Sequence, residues 1–319
     1  MLFQKLNCLA KFCLVFAVVF APSCATNASS PARIKGVEEI KFVSNGSISI
    51  SDALWDPTGN RLVINTYVVP SSKIYLLDLN SGEALLLYEI DGSAAATDWT
   101  PDGKFITAFI DTKDGEGVWN IDPNNNKPPK FITTGHEAAW SPDGTQLVML
   151  DHSPWIPSTE HTENLRIIDV QSGKEETPFE VKANDILATG LSWSRNGKYV
   201  AFSLSMDHGR EQIYILDVNT GVVSKITDAE NDLWSPSWSP DSQFISYVKR
   251  SPKTFESSIV ISTIDGKCKV SVPGITDVWS VAWSPDGKQL LFNWRNTIYL
   301  ADLDTIFERD LLTEGIICA

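Results

Sequence analysis

The chain has 319 residues, 43% of them hydrophobic, and a net charge of −14. That apolar share supports a sizeable core, and a single all-β domain of this length is admissible. The acid excess argues against a nucleic-acid partner, because such binding rests on basic groups that displace phosphate counterions.

Residues 1–24 stand apart. Lys5 and Lys11 precede an apolar run from Phe12 to Phe20, and Ala21, Pro22, Ser23 and Cys24 follow. This is the layout of a signal peptide, and the run is too short to span a bilayer. Cys24, behind a small residue and an apolar stretch, resembles the lipidated cysteine of bacterial lipoproteins. Pro22 departs from that pattern, and cleavage after Ser23 or Ala25 would instead release a free protein. Export to the periplasm or cell envelope is expected on either reading, with a lipid anchor at Cys24 the leading one. Residues 25–36, rich in Ala, Ser and Asn, are expected to act as a flexible linker.

Loss of the leader removes two lysines and no acid, leaving −16. The acidity reads first as a solvated surface, and second as attraction for a cationic partner. Cys8, Cys13 and Cys24 belong to the leader, so only Cys268 and Cys318 remain. A disulfide framework is thereby excluded. An oxidising compartment would let these two pair, but sequence gives no distance between them and they are read as unpaired.

From residue 37 onward the chain is governed by a repeat. DALWDPTG ends at Gly59, ATDWTPDG at Gly103, EAAWSPDG at Gly144, LSWSRNG at Gly197, PSWSPDS at Ser242 and VAWSPDG at Gly287. The tryptophans, Trp55, Trp99, Trp140, Trp193, Trp238 and Trp283, are spaced by 44, 41, 53, 45 and 45 residues. Such a period fits one four-stranded propeller blade. After each motif comes an alternating strand such as Lys104 to Ile110 or Lys198 to Leu204. A second follows, as in KIYLLDL from Lys73 or QIYILDV from Gln212, and then a glycine turn and a last strand such as VVSKIT from Val222. No stretch sustains a helical period. The fold expected over 37–319 is an all-β, six-bladed β-propeller of four-stranded antiparallel blades.

Ser-Pro-Asp-Gly is turn chemistry: proline presets φ, aspartate bonds local backbone and glycine takes positive φ. The preceding tryptophan is expected between neighbouring blades as a packing residue. The last blade seems to own four strands through FERDLLT from Phe307, yet EIKFVS from Glu39 also reads as a strand that could cover that blade's edge.

The WSPDG strand, the paired IYLLDL-type strands and the closing S-K-I-T strand resemble the repeat of TolB-like propellers over about residues 48 to 313. TolB carries a further α/β domain ahead of its propeller, where this chain has about twenty residues, so the resemblance is to the propeller part alone. It implies an envelope protein that binds a protein or peptide.

The repeat also divides the loops between two faces, and all four histidines fall on the face opposite the Ser-Pro-Asp-Gly turns. His136 begins an inner strand, His152 and His161 lie in the long third-blade loop from Asp151 to Glu163 that holds Trp155, and His208 lies in the equivalent fourth-blade loop. Histidines and carboxylates on one rim admit a divalent-metal site and a metal-dependent lyase or hydrolase acting on polysaccharide, although the spacing matches no metal motif and polar surface histidines are common.

Trp234 and Trp279 stand four residues before their motif tryptophans. Asp232 and Asp277 precede them, and Arg295 follows Trp294. Aromatics rimmed by charge suit a peptide or sugar contact, and inter-blade packing is the competing role. No G-x-S-x-G elbow or phosphate loop occurs, and DTKDGEG from Asp111 lacks the distal glutamate of a calcium loop. The leading expectation is therefore a monomeric, non-enzymatic binding scaffold without a cofactor; a propeller with inert faces is the third possibility.

Overall fold

The computed structural model describes residues 30–42, 49–68, 71–112, 115–152, 161–183, 186–206, 209–228 and 230–308. The leader with Cys24, as well as Trp155, His208 and Cys318, lies outside them, and the same holds for the side chains of His152 and His161.

The described chain folds into six four-stranded antiparallel sheets. Blade one is β2 (Ser49–Trp55), β3 (Arg61–Val68), β4 (Ser71–Asp78) and β5 (Ala84–Asp91). Blade two is β6 (Ser93–Trp99), β7 (Ile106–Thr112), β8 (Gly115–Ile121) and β9 (Lys130–Thr133), and blade three is β10 (Glu137–Trp140), β11 (Gln146–His152), β12 (His161–Asp169) and β13 (Glu175–Ala183). Blade four comprises β14 (Ile186–Trp193), β15 (Tyr199–Met206), β16 (Gln212–Asp217) and β17 (Val223–Lys225), and blade five β18 (Asp232–Trp238), β19 (Phe244–Arg250), β20 (Ser257–Thr263) and β21 (Lys269–Thr276). Blade six has β22 (Val278–Trp283), β23 (Gln289–Trp294), β24 (Thr297–Asp302) and, outermost, β1 (Val37–Ile40). The first strands of successive blades touch in a closed ring, β22 meeting β2.

The motif turns act as expected. In blade three the Ser141 hydroxyl donates to Asp143 Oδ1 (2.7 Å), the Thr145 amide donates to the same oxygen (3.0 Å), and the Gln146 amide donates to Ser141 Oγ (2.9 Å). Blades two, four, five and six repeat the pattern with Thr100, Ser194, Ser239 and Ser284. The fourth turn residue has positive φ in all six copies, including Ser242 at 59°.

Each motif tryptophan packs on the blade before it. Trp99 joins Val63 and Ile74, Trp193 joins Ala139 and Val148, and Trp283 joins Phe244 and Val248. Trp140 Nε1 donates to Thr107 Oγ1 (2.7 Å) and Trp238 Nε1 to the Ser192 carbonyl (3.1 Å), both across a blade junction. The repeat is thus a ring of wedges, each large ring filling the gap that sheet twist opens between neighbours.

Two expectations need correction. The outer place of blade six belongs to β1, paired Val37 to Ala301 and Ile40 to Ile298, and Phe307 is the last residue of a short helix, α1 (Leu303–Phe307). The Asp302 side chain caps that helix by accepting from the Thr305 amide (2.7 Å), so the chain leaves the sheet directly after β24. Early and late segments therefore close the ring together. In addition, Cys268 is disulfide-bonded rather than free, and every other cysteine lies outside the described residues.

The end of the stretch expected as linker rests on the fold. Pro31–Arg33 forms a 3-10 turn, and Ile34 packs against the core of blades five and six. Gly36, at φ +83°, accepts the Asp302 amide (2.7 Å) on its carbonyl.

Candidate functional site

The inner strands of blades five and six begin with equivalent residues, and this register brings Trp234 and Trp279 side by side. Their ring centroids are 6.2 Å apart, and Trp234 Nε1 donates to the Trp279 carbonyl (2.6 Å). Trp234 also packs on the core of these blades together with Trp294, whereas Trp279, equally half-buried, is outside that cluster. Trp234 is thus tied into packing, and Trp279 meets it from the next blade.

Charge surrounds the pair. Asp232 Oδ2 receives Arg250 Nη2 at 3.4 Å and Arg210 Nη1 at 3.5 Å, and Arg250 lies 5.4 Å over the Trp234 ring. Arg295 Nη2 meets Asp277 Oδ2 at 3.2 Å, and its guanidinium lies 4.8 Å over Trp294. Of the expected binding residues, Trp234 thus lies against Trp279, Asp232 holds the arginine beside Trp234, and Asp277 pairs with Arg295; Trp155 lies outside the described residues. Arg210 and Arg250, absent from the expected set, complete the arrangement. Only their position in loops and strand ends of adjacent blades relates them, which linear spacing does not display.

The backbone at this rim is held in an unusual conformation. Ser235, Asp277, Arg295 and Asn296 all have positive φ, between 46° and 66°. Arg295 and Asn296 form the two-residue hairpin between β23 and β24, a turn whose twist demands two such residues. At Asp277 the left-handed backbone presents the carboxylate to Arg295. Non-glycine residues in this region cost free energy and cluster where geometry matters to function.

The histidines are arranged differently. His136 is half-buried, and its Nε2 lies 3.0 Å from Oε1 of the buried Glu163 on β12, within the same blade. Burial opposes its charged form, but the hydrogen bond and charge of Glu163, with Glu137 and Glu116 beyond, outweigh this and raise its pKa. It is thus tied to its own blade through Glu163. Among the described residues no group of three or more His, Cys, Asp or Glu side chains has metal-binding geometry.

A second constellation was not legible as a site. Polar residues on the inner strands link each blade to the next. Asp98 accepts the Trp140 amide (2.8 Å), Glu137 accepts the Gly190 amide (2.6 Å), and Ser237 Oγ accepts the Trp283 amide (3.1 Å). Asn65, one strand out, exchanges two 2.8 Å bonds with Ala96. At the closing junction Asp52 bonds Ser280, and Asn293 donates to the Ile50 carbonyl (2.8 Å). Protein around these carboxyls penalises charge. Burial raises Asp52 and Asp98 to about 6 and Glu211, bonded to Ser203 and Thr189, to about 7, and it raises Glu137 as well. The one sequence signal was the recurrence of a polar residue one or three places before the motif tryptophan.

Taken together, the closed ring of six four-stranded antiparallel blades defines the chain as a six-bladed β-propeller. The family model of the TolB beta propeller domain matches residues 134–315, more than half of the chain. The chain belongs to the TolB-like β-propeller family.

The crystal structure of TolB from Acinetobacter baumannii superposes with a TM-score of 0.57 at 16% identity, covering 81% of this chain and 64% of that one. An uncharacterized peptidase, YuxL, from Bacillus subtilis is 24% identical over 226 residues, 66% of this chain and 31% of that protein. The Tol-Pal system protein TolB of Francisella tularensis subsp. mediasiatica is 33% identical over 76 residues, 24% of this chain and 17% of that protein. The chain thus spans less than a third of the length of these two curated relatives.

Proposed function

We propose that this protein is an exported, non-enzymatic scaffold of the cell envelope that docks a protein or peptide on the rim of blades five and six. One observation carries the reading: Trp279 retains partial exposure on an inner strand, beside Trp234, whose ring Arg250 covers, and two residues after Asp277, which pairs with Arg295. An indole held in place beside guanidinium groups is the kind of anchor that dominates protein interfaces, because it presents a large area at small entropic cost. Rigid blades position it, as scaffolds position binding loops generally. Membership of the TolB-like family is consistent with a role in binding, and the leader supports export. Lipidation of Cys24 would tether the ring to a membrane through the residues ahead of β1.

The test is capture from envelope extract with the full exported chain and its Trp279→Ala variant. Loss of captured partner in the variant, with melting unchanged, is expected. Equal capture by both proteins contradicts the proposal. Mass spectrometry of the mature N-terminus checks the anchor, with a diacylglyceryl-modified Cys24 as the expected species and an unmodified terminus as the contrary one.

A further inference from the structure

The charge balance at the rim is uneven. Asp232 Oδ2 serves two guanidiniums, Arg250 at 3.4 Å and Arg210 at 3.5 Å, whereas Arg295 is matched one to one by Asp277. Both distances to Asp232 exceed the 2.7–2.9 Å typical of strong charge-assisted bonds. Each guanidinium carries five N–H donors in a fixed fork, and among the described residues each of these two spends one contact on that shared oxygen. Asp232 alone does not match both guanidiniums, and the neighbouring Glu211 is engaged by Ser203 and Thr189 instead, in a chain that is otherwise strongly acidic. Arg250 is kept in position by the Trp234 face below it, and the side chains of Arg210 and Arg250 remain 39% and 33% exposed. Stacking holds a guanidinium in one plane while leaving its edge donors available.

From this, and resting on the docking surface proposed above, we infer that the partner is recognised through a carboxylate side chain adjoining an aromatic one. The carboxylate takes the unused donors of Arg210 and Arg250, and the aromatic ring lies against Trp279. An arginine fork matches a carboxylate in two parallel bonds, so the pair would confer selectivity as well as attraction. Asp232 then acts as the internal counter-ion that keeps both arginines in place while the partner is absent. The surrounding acidity repels other anionic surfaces, so that only a carboxylate delivered at this corner is accepted.

The experiment uses two fluorescein-labelled hexapeptides, one with adjacent glutamate and phenylalanine between glycines and one with glutamine replacing the glutamate. Their binding to the full chain is followed by fluorescence polarisation. The glutamate peptide is expected to bind about tenfold more tightly. Arg210→Gln, a change in an exposed loop residue that should leave melting unaltered, and the double variant R210Q/R250Q should progressively abolish that preference. Equal binding of both peptides, persistence of the preference in the double variant, or no binding of either peptide at millimolar concentration overturns the inference. Trp279→Ala separates the two levels: if it abolishes envelope capture while the peptides bind equally, the docking surface stands and the carboxylate reading falls. If capture also survives that variant, the docking surface falls with it.

Discussion

At the residue scale, the eleven tryptophans perform different work according to their place in the repeat. Trp238 is buried between blades four and five, with Tyr199 stacked 5.9 Å away. Trp238→Ala should cost about 3–5 kcal/mol in a urea unfolding titration, as large aromatic truncations in cores do. Trp279→Ala, at a ring outside the core cluster, should cost less than about 1.5 kcal/mol. A Trp279 penalty equal to that of Trp238 would make it a core residue. Ser242 gives a finer check. Its left-handed backbone favours glycine, but its hydroxyl accepts the Asn196 amide of the neighbouring turn (3.1 Å). Relief of about 1 kcal/mol of backbone strain and loss of a bond of similar size nearly cancel. Ser242→Gly should therefore leave the midpoint of unfolding almost unchanged.

At the scale of elements, closure of the ring depends on β1 and the turn before it. A Cβ placed on Gly36 would lie 2.9 Å from Thr305 Cβ, and the residue sits at φ +83°. Gly36→Ala should therefore loosen β1 from β24 and destabilise the protein by about 2 kcal/mol. Early protease cleavage ahead of β2 and a lowered melting temperature are the expected readouts. The strands were legible because each blade repeats alternation, turn chemistry and a fixed tryptophan, all of them local signals. Closure was only half legible. FERDLLT has strand-like composition from Phe307, but Asp302 caps a helix there, and the partner of β24 comes from residues more than 250 positions away. The rim was legible as Trp234, Trp279, Asp232, Asp277 and Arg295, all tied to motif register. Arg210 and Arg250 were missed because only the docking of blade four on blade five unites them. The tie between His136 and Glu163 was not legible for the same reason, since it joins two strands of blade three that lie far apart in the chain.

For the whole molecule, the carboxyls that link the inner strands set a pH dependence. Asp52 and Asp98 titrate near 6 against an ordinary 3.8, and Glu211 near 7 against 4.5. The folded state therefore binds more protons than the unfolded chain between those values. Their contribution is full below the unfolded values and is lost as pH rises through 6 and 7. His136, raised above 6.5, acts in the same direction at higher pH. The lowered turn aspartates Asp102 and Asp265, near 2, weaken the fold only in stronger acid. Melting temperature should thus fall between pH 5 and pH 7.5, and Glu211→Gln should flatten that decline and raise melting at the upper end. A rise over the same interval would show these carboxyls ionised without penalty. The proposed division of labour, in which the ring supplies rigidity and the rim of blades five and six docks the partner, is tested most directly by site-specific photocrosslinking in cells. A benzophenone side chain at position 279 should form an adduct with an envelope protein, and one at position 145, on the Ser-Pro-Asp-Gly face, should not. Adducts from position 145 alone, or from neither position, would contradict the account.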